Sequence, residues 1–111
     1  MAILKRAFTQ DLSADPLDVE FEFIYNVNVL QVLIHTSVDV TEDLTITYID
    51  VENGTNYSTL VRTRSLNEEQ DAAELAIKLR LRQGDKIKIE MTNANETGIV
   101  YGTLQVEADS N

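Results

Sequence analysis

The sequence predicts an all-β protein, an antiparallel β-sandwich of about eight strands forming a single domain over residues 1–111. Three observations carry that prediction. Apolar and polar residues alternate along most of the chain, the two-residue period of a strand with one buried and one wet face. Turn signals recur between the alternating stretches. No stretch carries the apolar stripe of a full helix. At 111 residues with no cysteine, the chain is long enough to bury one core without disulfides and too short for a second domain.

The elements follow in order. Residues 3–10 form a first, weaker strand, and Ser13-Ala14-Asp15-Pro16 turns the chain. Leu17, Val19, Phe21, Phe23 and Tyr25 then alternate with Asp18, Glu20, Glu22 and Ile24. A weaker strand is expected over residues 30–37. Leu44, Ile46 and Tyr48 alternate with Thr45, Thr47 and Ile49, and β-branched threonine suits a pleated surface. Asn53-Gly54 is a strong hairpin signal leading into a strand at residues 57–64. Residues 66–75 have helical character, with Ser65 and Glu68 spaced as a capping box, and a single helical turn or long polar loop is expected there. Leu75, Ile77, Leu79 and Leu81 alternate with Ala76, Lys78, Arg80 and Arg82, and Gln83-Gly84-Asp85 connects tightly to Ile87, Ile89 and Met91. The loop 93–98 leads to a last strand at residues 99–106. The pattern leaves the strand order open between a jelly roll and an immunoglobulin-like arrangement.

The composition excludes much chemistry. Nineteen acidic and nine basic residues give a formal net charge of −10, so neither nucleic acid nor an anionic membrane is an expected partner. His35 is the only imidazole. Ser37 and Asp39 follow it at i+2 and i+4, steps of about 7 Å along a strand and too long for direct hydrogen bonds. Asp39, Glu42 and Asp43, and likewise Glu68, Glu69, Asp71 and Glu74, lack the spacing and the glycine of a calcium-binding EF-hand loop. They read as solvated loops. Asn53, Asn56 and Asn95 each begin a glycosylation sequon but lie in expected turns. No secretory or membrane-spanning segment is read, so a soluble chain beginning at residue 1 or 2 is expected. No enzyme activity, cofactor or metal is expected.

Charge is distributed unevenly. Residues 1–55 hold ten acids and two bases, while residues 57–91 hold six acids and seven bases. Those seven are Arg62, Arg64, Lys78, Arg80, Arg82, Lys86 and Lys88. A hairpin across Gly84-Asp85 would set Arg82 beside Lys86 and Arg80 beside Lys88, an unfavourable array unless neutralised. Asp18, Glu20 and Glu22 form an acidic row of matching length. They are expected to neutralise the bases within the same sheet or from a neighbouring copy, which would make the pairing an assembly contact. These ten residues, together with residues 2–8, are the candidate assembly surface.

Several short motifs, in order, resemble those of small all-β virion structural proteins of tailed bacteriophages. They are Phe8-Thr9-Gln10-Asp11-Leu12-Ser13-Ala14-Asp15; Glu42-Asp43-Leu44-Thr45-Ile46-Thr47; Leu79-x-Leu81-x-x-Gly84-Asp85-Lys86-Ile87-Lys88-Ile89 with Asn93 after it; and Gly98 followed by Tyr101-Gly102-Thr103-Leu104. Together they span nearly the whole chain. The stretch before Gly84, often proline-rich and apolar in such proteins, here carries Lys78, Arg80 and Arg82. The resemblance implies a virion component, foremost a capsid decoration (cement) protein and otherwise a neck, tail or fibre subunit. Its partners would be the major capsid protein or other virion subunits, with several copies assembling. A carbohydrate-binding module is the alternative, for which Tyr57 near the Asn53–Asn56 turn is the exposed aromatic candidate.

Overall fold

The computed structural model describes residues 2–108, and the side chains of all of these except residues 2 and 72–76. Eight strands form, one for each expected stretch but with different ends for β2, β3 and β6: β1 (Ala2–Asp11), β2 (Leu17–Glu22), β3 (Val27–Val40), β4 (Asp43–Glu52), β5 (Thr55–Ser65), β6 (Glu69–Leu81), β7 (Lys86–Met91) and β8 (Ile99–Ala108). They make two antiparallel four-stranded sheets, ordered β1-β8-β3-β6 and β2-β7-β4-β5.

The pairings β1/β8, β2/β7, β3/β6 and β4/β5 are those of one long hairpin folded at Asn53-Gly54 and rolled until its halves face each other. That is a jelly roll, which decides between the two strand orders left open by the sequence. At the hairpin tip Asn53 and Gly54 have φ of 53° and 79°, the pair of left-handed residues that a tight two-residue hairpin turn requires.

Alternation sets the core. β7 buries Ile87, Ile89 and Met91, and β8 buries Val100, Leu104 and Val106. Val27, Val29, Val32 and Ile34 of β3 and Leu44 and Ile46 of β4 meet them between the sheets. Leu12 seals the β1–β2 crossing, fully buried, with its N–H on the Gly98 carbonyl at 2.9 Å.

Three expectations are corrected. Residues 66–75 contain no helical turn: Leu66 is buried and exchanges backbone hydrogen bonds with Glu42 at 2.8 and 3.1 Å, and β6 starts at Glu69. The Ser65 hydroxyl donates to Asp43 rather than capping a helix, and Glu68 takes a left-handed turn, φ 54°. Tertiary pairing with β3 overrides the local helical preference. The second strand ends at Glu22, three residues early, because its ladder partner β7 begins at Lys86, opposite Glu22; Phe23 stays buried and Ile24 exposed beyond it. Finally, β6 and β7 are not a hairpin. They lie in opposite sheets, and residues 82–85 form the crossing between them.

Candidate assembly surfaces

Because β6 and β7 part, the seven bases form no single face. Lys86 and Lys88 stand on the outer face of β7, in register with Glu22 and Glu20 of β2. Their ammonium groups reach diagonally, Lys86 to Glu20 at 3.2 Å and Lys88 to Asp18 at 3.6 Å, with Glu90 3.9 Å from Lys88. The neutralising acidic row of β2 is thus supplied by the same sheet of the same subunit. Four carboxylates against two lysines leave this face acidic.

Reversing both Glu20 and Glu22 to lysine is expected to lower stability by about 1 kcal/mol in total, since exposed cross-strand pairs contribute a few tenths to one each. Urea unfolding at low salt measures the loss, and it should shrink in high salt.

The other bases are dispersed. Arg62 and Arg64 sit opposite Ile46 and Leu44, two core residues, so they project to the inner side of edge strand β5. There Arg64 pairs with Glu69 of β6 at 3.2 Å. Lys78 and Arg80 are on β6 in the other sheet, Arg80 donating to the Asn28 side chain at 3.1 Å. Arg82 lies on the crossing, 2.9 Å from Asp50 and 3.7 Å from Asp85.

Two buried carboxylates, Glu42 just before β4 and Asp85 just before β7, fasten the loops. Asp85 is 1% exposed. It accepts from the Tyr48 hydroxyl (2.9 Å), the Arg82 N–H (3.0 Å) and the Val51 N–H (3.3 Å). Burial pushes its pKa up, but those hydrogen bonds and the Arg82 charge outweigh it and hold the carboxyl below its ordinary value. The same burial, with the Asp85 hydrogen bond, pushes the Tyr48 phenol up to about 12. Glu42 accepts from the Thr92 hydroxyl and from the Ala94 and Asn95 N–H groups at 2.8–2.9 Å. It is therefore a loop anchor, not the solvated acid its sequence neighbourhood implied. Among the described residues no buried side-chain nitrogen or oxygen lacks a partner.

The outer face of the β1-β8-β3-β6 sheet carries a groove of about 740 Å³ lined by Ala7, Thr9, Leu33, His35, Tyr101 and Thr103, among others. Thr9, Tyr101, His35 and Asp71 form one row across the four strands. His35 Nδ1 is 2.7 Å from Asp71, so the histidine's partner comes from β6 and not from Ser37 or Asp39 on its own strand. The Ser37 hydroxyl instead accepts the Ile99 N–H at 2.9 Å. Tyr57 is exposed on β5, far along the fold from this row, and Tyr101 is a second exposed aromatic that sequence reasoning passed over. Its place at an outward position of a strand between two others was readable only once the strand order was known. Among the described residues no group of three or more acidic or histidine side chains is placed to hold a metal ion.

No family model matches the sequence, and no curated protein matches it. Solved structures do. The nucleoplasmin-like N-terminal domain of Drosophila FKBP39 superposes with a TM-score of 0.51 at 12% identity, over 98% of this chain and 92% of that one. A chain in the structure of the infectious bursal disease virus Gx strain superposes with a TM-score of 0.52 at 14% identity, over 96% of this chain and 33% of that one. The protein thus spans about a third of the viral chain. At these identities the likeness is one of fold: an antiparallel β-sandwich domain, in one case part of a virus.

Proposed function

We propose that the protein is a non-enzymatic structural component of a virion, in its specific form a bacteriophage capsid decoration protein that docks on the major capsid protein or other virion subunits in several copies. The observation that carries this reading is the jelly roll itself, closed by two internally satisfied carboxylates and shared in fold with a viral chain. Such a domain offers outer sheet faces and strand edges for docking. The tailed-phage motifs fall on its strands and turns, which adds support from sequence. The acidic face of β2 and β7, the β1 edge with Lys5 and Arg6, and the Lys78–Arg80 patch are the surfaces it would present.

The test is binding of the purified chain to tailed-phage particles stripped of accessory proteins, with mass spectrometry of intact particles for copy number. Saturable binding, with copies in proportion to the capsid lattice, is the expected result. Copies limited to about a dozen would move the protein to a neck or tail, and no particle binding at all would overturn the reading. The groove beside Tyr101 favours a second reading, saccharide recognition, in which a sugar stacks on Tyr101 and its hydroxyls donate to the Asp71 carboxylate beside His35. Glycan binding without particle binding would put it in place of the first.

A further inference from the structure

We propose that the free edge of β5 is where a second copy of the chain adds, antiparallel, continuing the β2-β7-β4-β5 sheet across a two-fold axis. This rests on the reading of the protein as a multi-copy subunit, and it names the contact that reading leaves unassigned.

An edge strand presents unpaired N–H and C=O groups, and natural proteins blunt such edges with charge, proline or bulges. Three of the four edges here are blunted by charge: β1 by Lys5 and Arg6, β2 by Asp18, Glu20 and Glu22, β6 by Glu69, Asp71, Lys78 and Arg80. The fourth is not. From Thr55 to Val61, β5 reads Thr-Asn-Tyr-Ser-Thr-Leu-Val, without charge or proline and rich in residues that favour strands. The register slip at Val61 and the arginines after it bound the open segment.

Its side chains fit the same role. Every residue of β5 except Val61 is exposed, and Leu60 and Tyr57 keep 60% and 56% of their surface. Leu60 pairs with Thr47 and Ser58 with Ile49, so Leu60 and Ser58 share the outer face, while Tyr57 and Thr59 take the other. An added strand would cover both faces at once.

Charge selects the partner and its direction. The β4–β5 hairpin is acidic at its turn, with Glu52 and with Asp50, which also holds Arg82, and basic farther along β5, with Arg62 and with Arg64, which also meets Glu69. A second copy running antiparallel and centred on Ser58 sets Leu60 opposite Asn56 and brings the arginine end of each strand to the Glu52–Gly54 turn of the other. A parallel copy would set arginines beside arginines. The hairpin is therefore self-complementary in one orientation only, the requirement of a two-fold contact. Seven residues of strand make a small interface, so the contact is weak in solution and gains strength where copies are already held side by side.

The chain has no cysteine, which allows a clean test. Ser58→Cys places the two thiols directly opposite each other across the axis. Mild oxidation is expected to link this variant into dimers at least tenfold faster than Asp15→Cys, a loop control. Adding Leu60→Lys should abolish that advantage without moving the melting temperature, and wild-type protein should show concentration-dependent dimers by sedimentation equilibrium that Leu60→Lys loses. Equal cross-linking rates for Ser58→Cys and Asp15→Cys, or wild-type protein that stays monomeric at millimolar concentration, would overturn the proposal. Particle binding by the Leu60→Lys chain is scored separately. If it persists while dimers are absent from wild type, the β5 contact fails and the virion reading stands; if particle binding is absent from both chains while wild type dimerises, the reverse holds.

Discussion

Replacing Asp85 is expected to destabilise the fold more than any surface change: about 2 kcal/mol for Asp85→Asn and about 3 kcal/mol or more for Asp85→Ala. The carboxylate is buried and collects three donors from two parts of the chain: Tyr48 and Val51 on β4 and Arg82 on the crossing after β6. Asparagine keeps the shape but turns an NH₂ group toward donors, and alanine leaves the Tyr48 hydroxyl and two backbone N–H groups without their acceptor. For a domain of this size the loss corresponds to a drop in melting temperature of about 10 °C or more. Thermal and urea unfolding at neutral pH check it, and a change under 1 kcal/mol for Asp85→Ala would refute the role.

The pH dependence sharpens the test. The folded Asp85 pKa lies below its unfolded value of about 3.9, so the native state holds this proton less tightly than the unfolded chain. The stability supplied by the ionised carboxylate is complete above about pH 4 and drains away as pH falls through the lower folded value. The gap between wild type and Asp85→Asn should therefore narrow in acid. Tyr48 works in the opposite direction. Its folded pKa is raised to about 12, so its contribution is complete below about pH 10 and is lost as pH climbs toward 12. Tyr48→Phe is expected to cost about 1 kcal/mol at neutral pH and to remove that alkaline loss.

Why Asp85 escaped the sequence, while the strands did not, has a physical reason. Strands declare themselves through a period of two, which is a local property; β7, with Ile87, Ile89 and Met91 alternating with lysines and Glu90, could be read without knowing its neighbours. The sheet to which a strand belongs is not local. Gln83-Gly84-Asp85 suits a hairpin turn and a crossing between sheets equally well, and only the inward turn of Asp85 onto Tyr48, 37 residues away, tells them apart. The basic cluster dissolved for the same reason: spacing along the chain grouped Arg80 with Lys88, and topology put them on different sheets. The Lys86–Glu20 and Lys88–Asp18 pairs could be anticipated, because two amphipathic strands with opposite outer charges find a low-energy arrangement as neighbours. Residues 66–75 show the converse, a locally helical signal overruled by the ladder on β3.

Two motifs quoted separately from the sequence turn out to be halves of one packing unit, and from them comes the second large effect. Gly102 of β8 is in register with Phe8 of β1 on one side and Ile34 of β3 on the other. A Cβ added at Gly102 would fall inside contact distance of the Phe8 ring and 2.9 Å from Ile34 Cδ1. The glycine is there because the buried Phe8 ring lies over the backbone that a side chain would cover, an aromatic filling a gap in the middle of a sheet. Phe8 is also held by Phe21, with ring centroids 6.0 Å apart, so it cannot swing clear without disturbing the opposite sheet. Gly102→Ala is expected to cost about 2 kcal/mol and Gly102→Val about 3 kcal/mol, the overpacking range for a filled core. Trimming Phe8 to leucine should cost about 1–2 kcal/mol alone and yet relieve Gly102→Ala, because the smaller side chain vacates the space that the new methyl group needs. A double-mutant cycle measures this as a favourable coupling of about 1–2 kcal/mol. Strict additivity would mean that the ring is not what keeps this position a glycine.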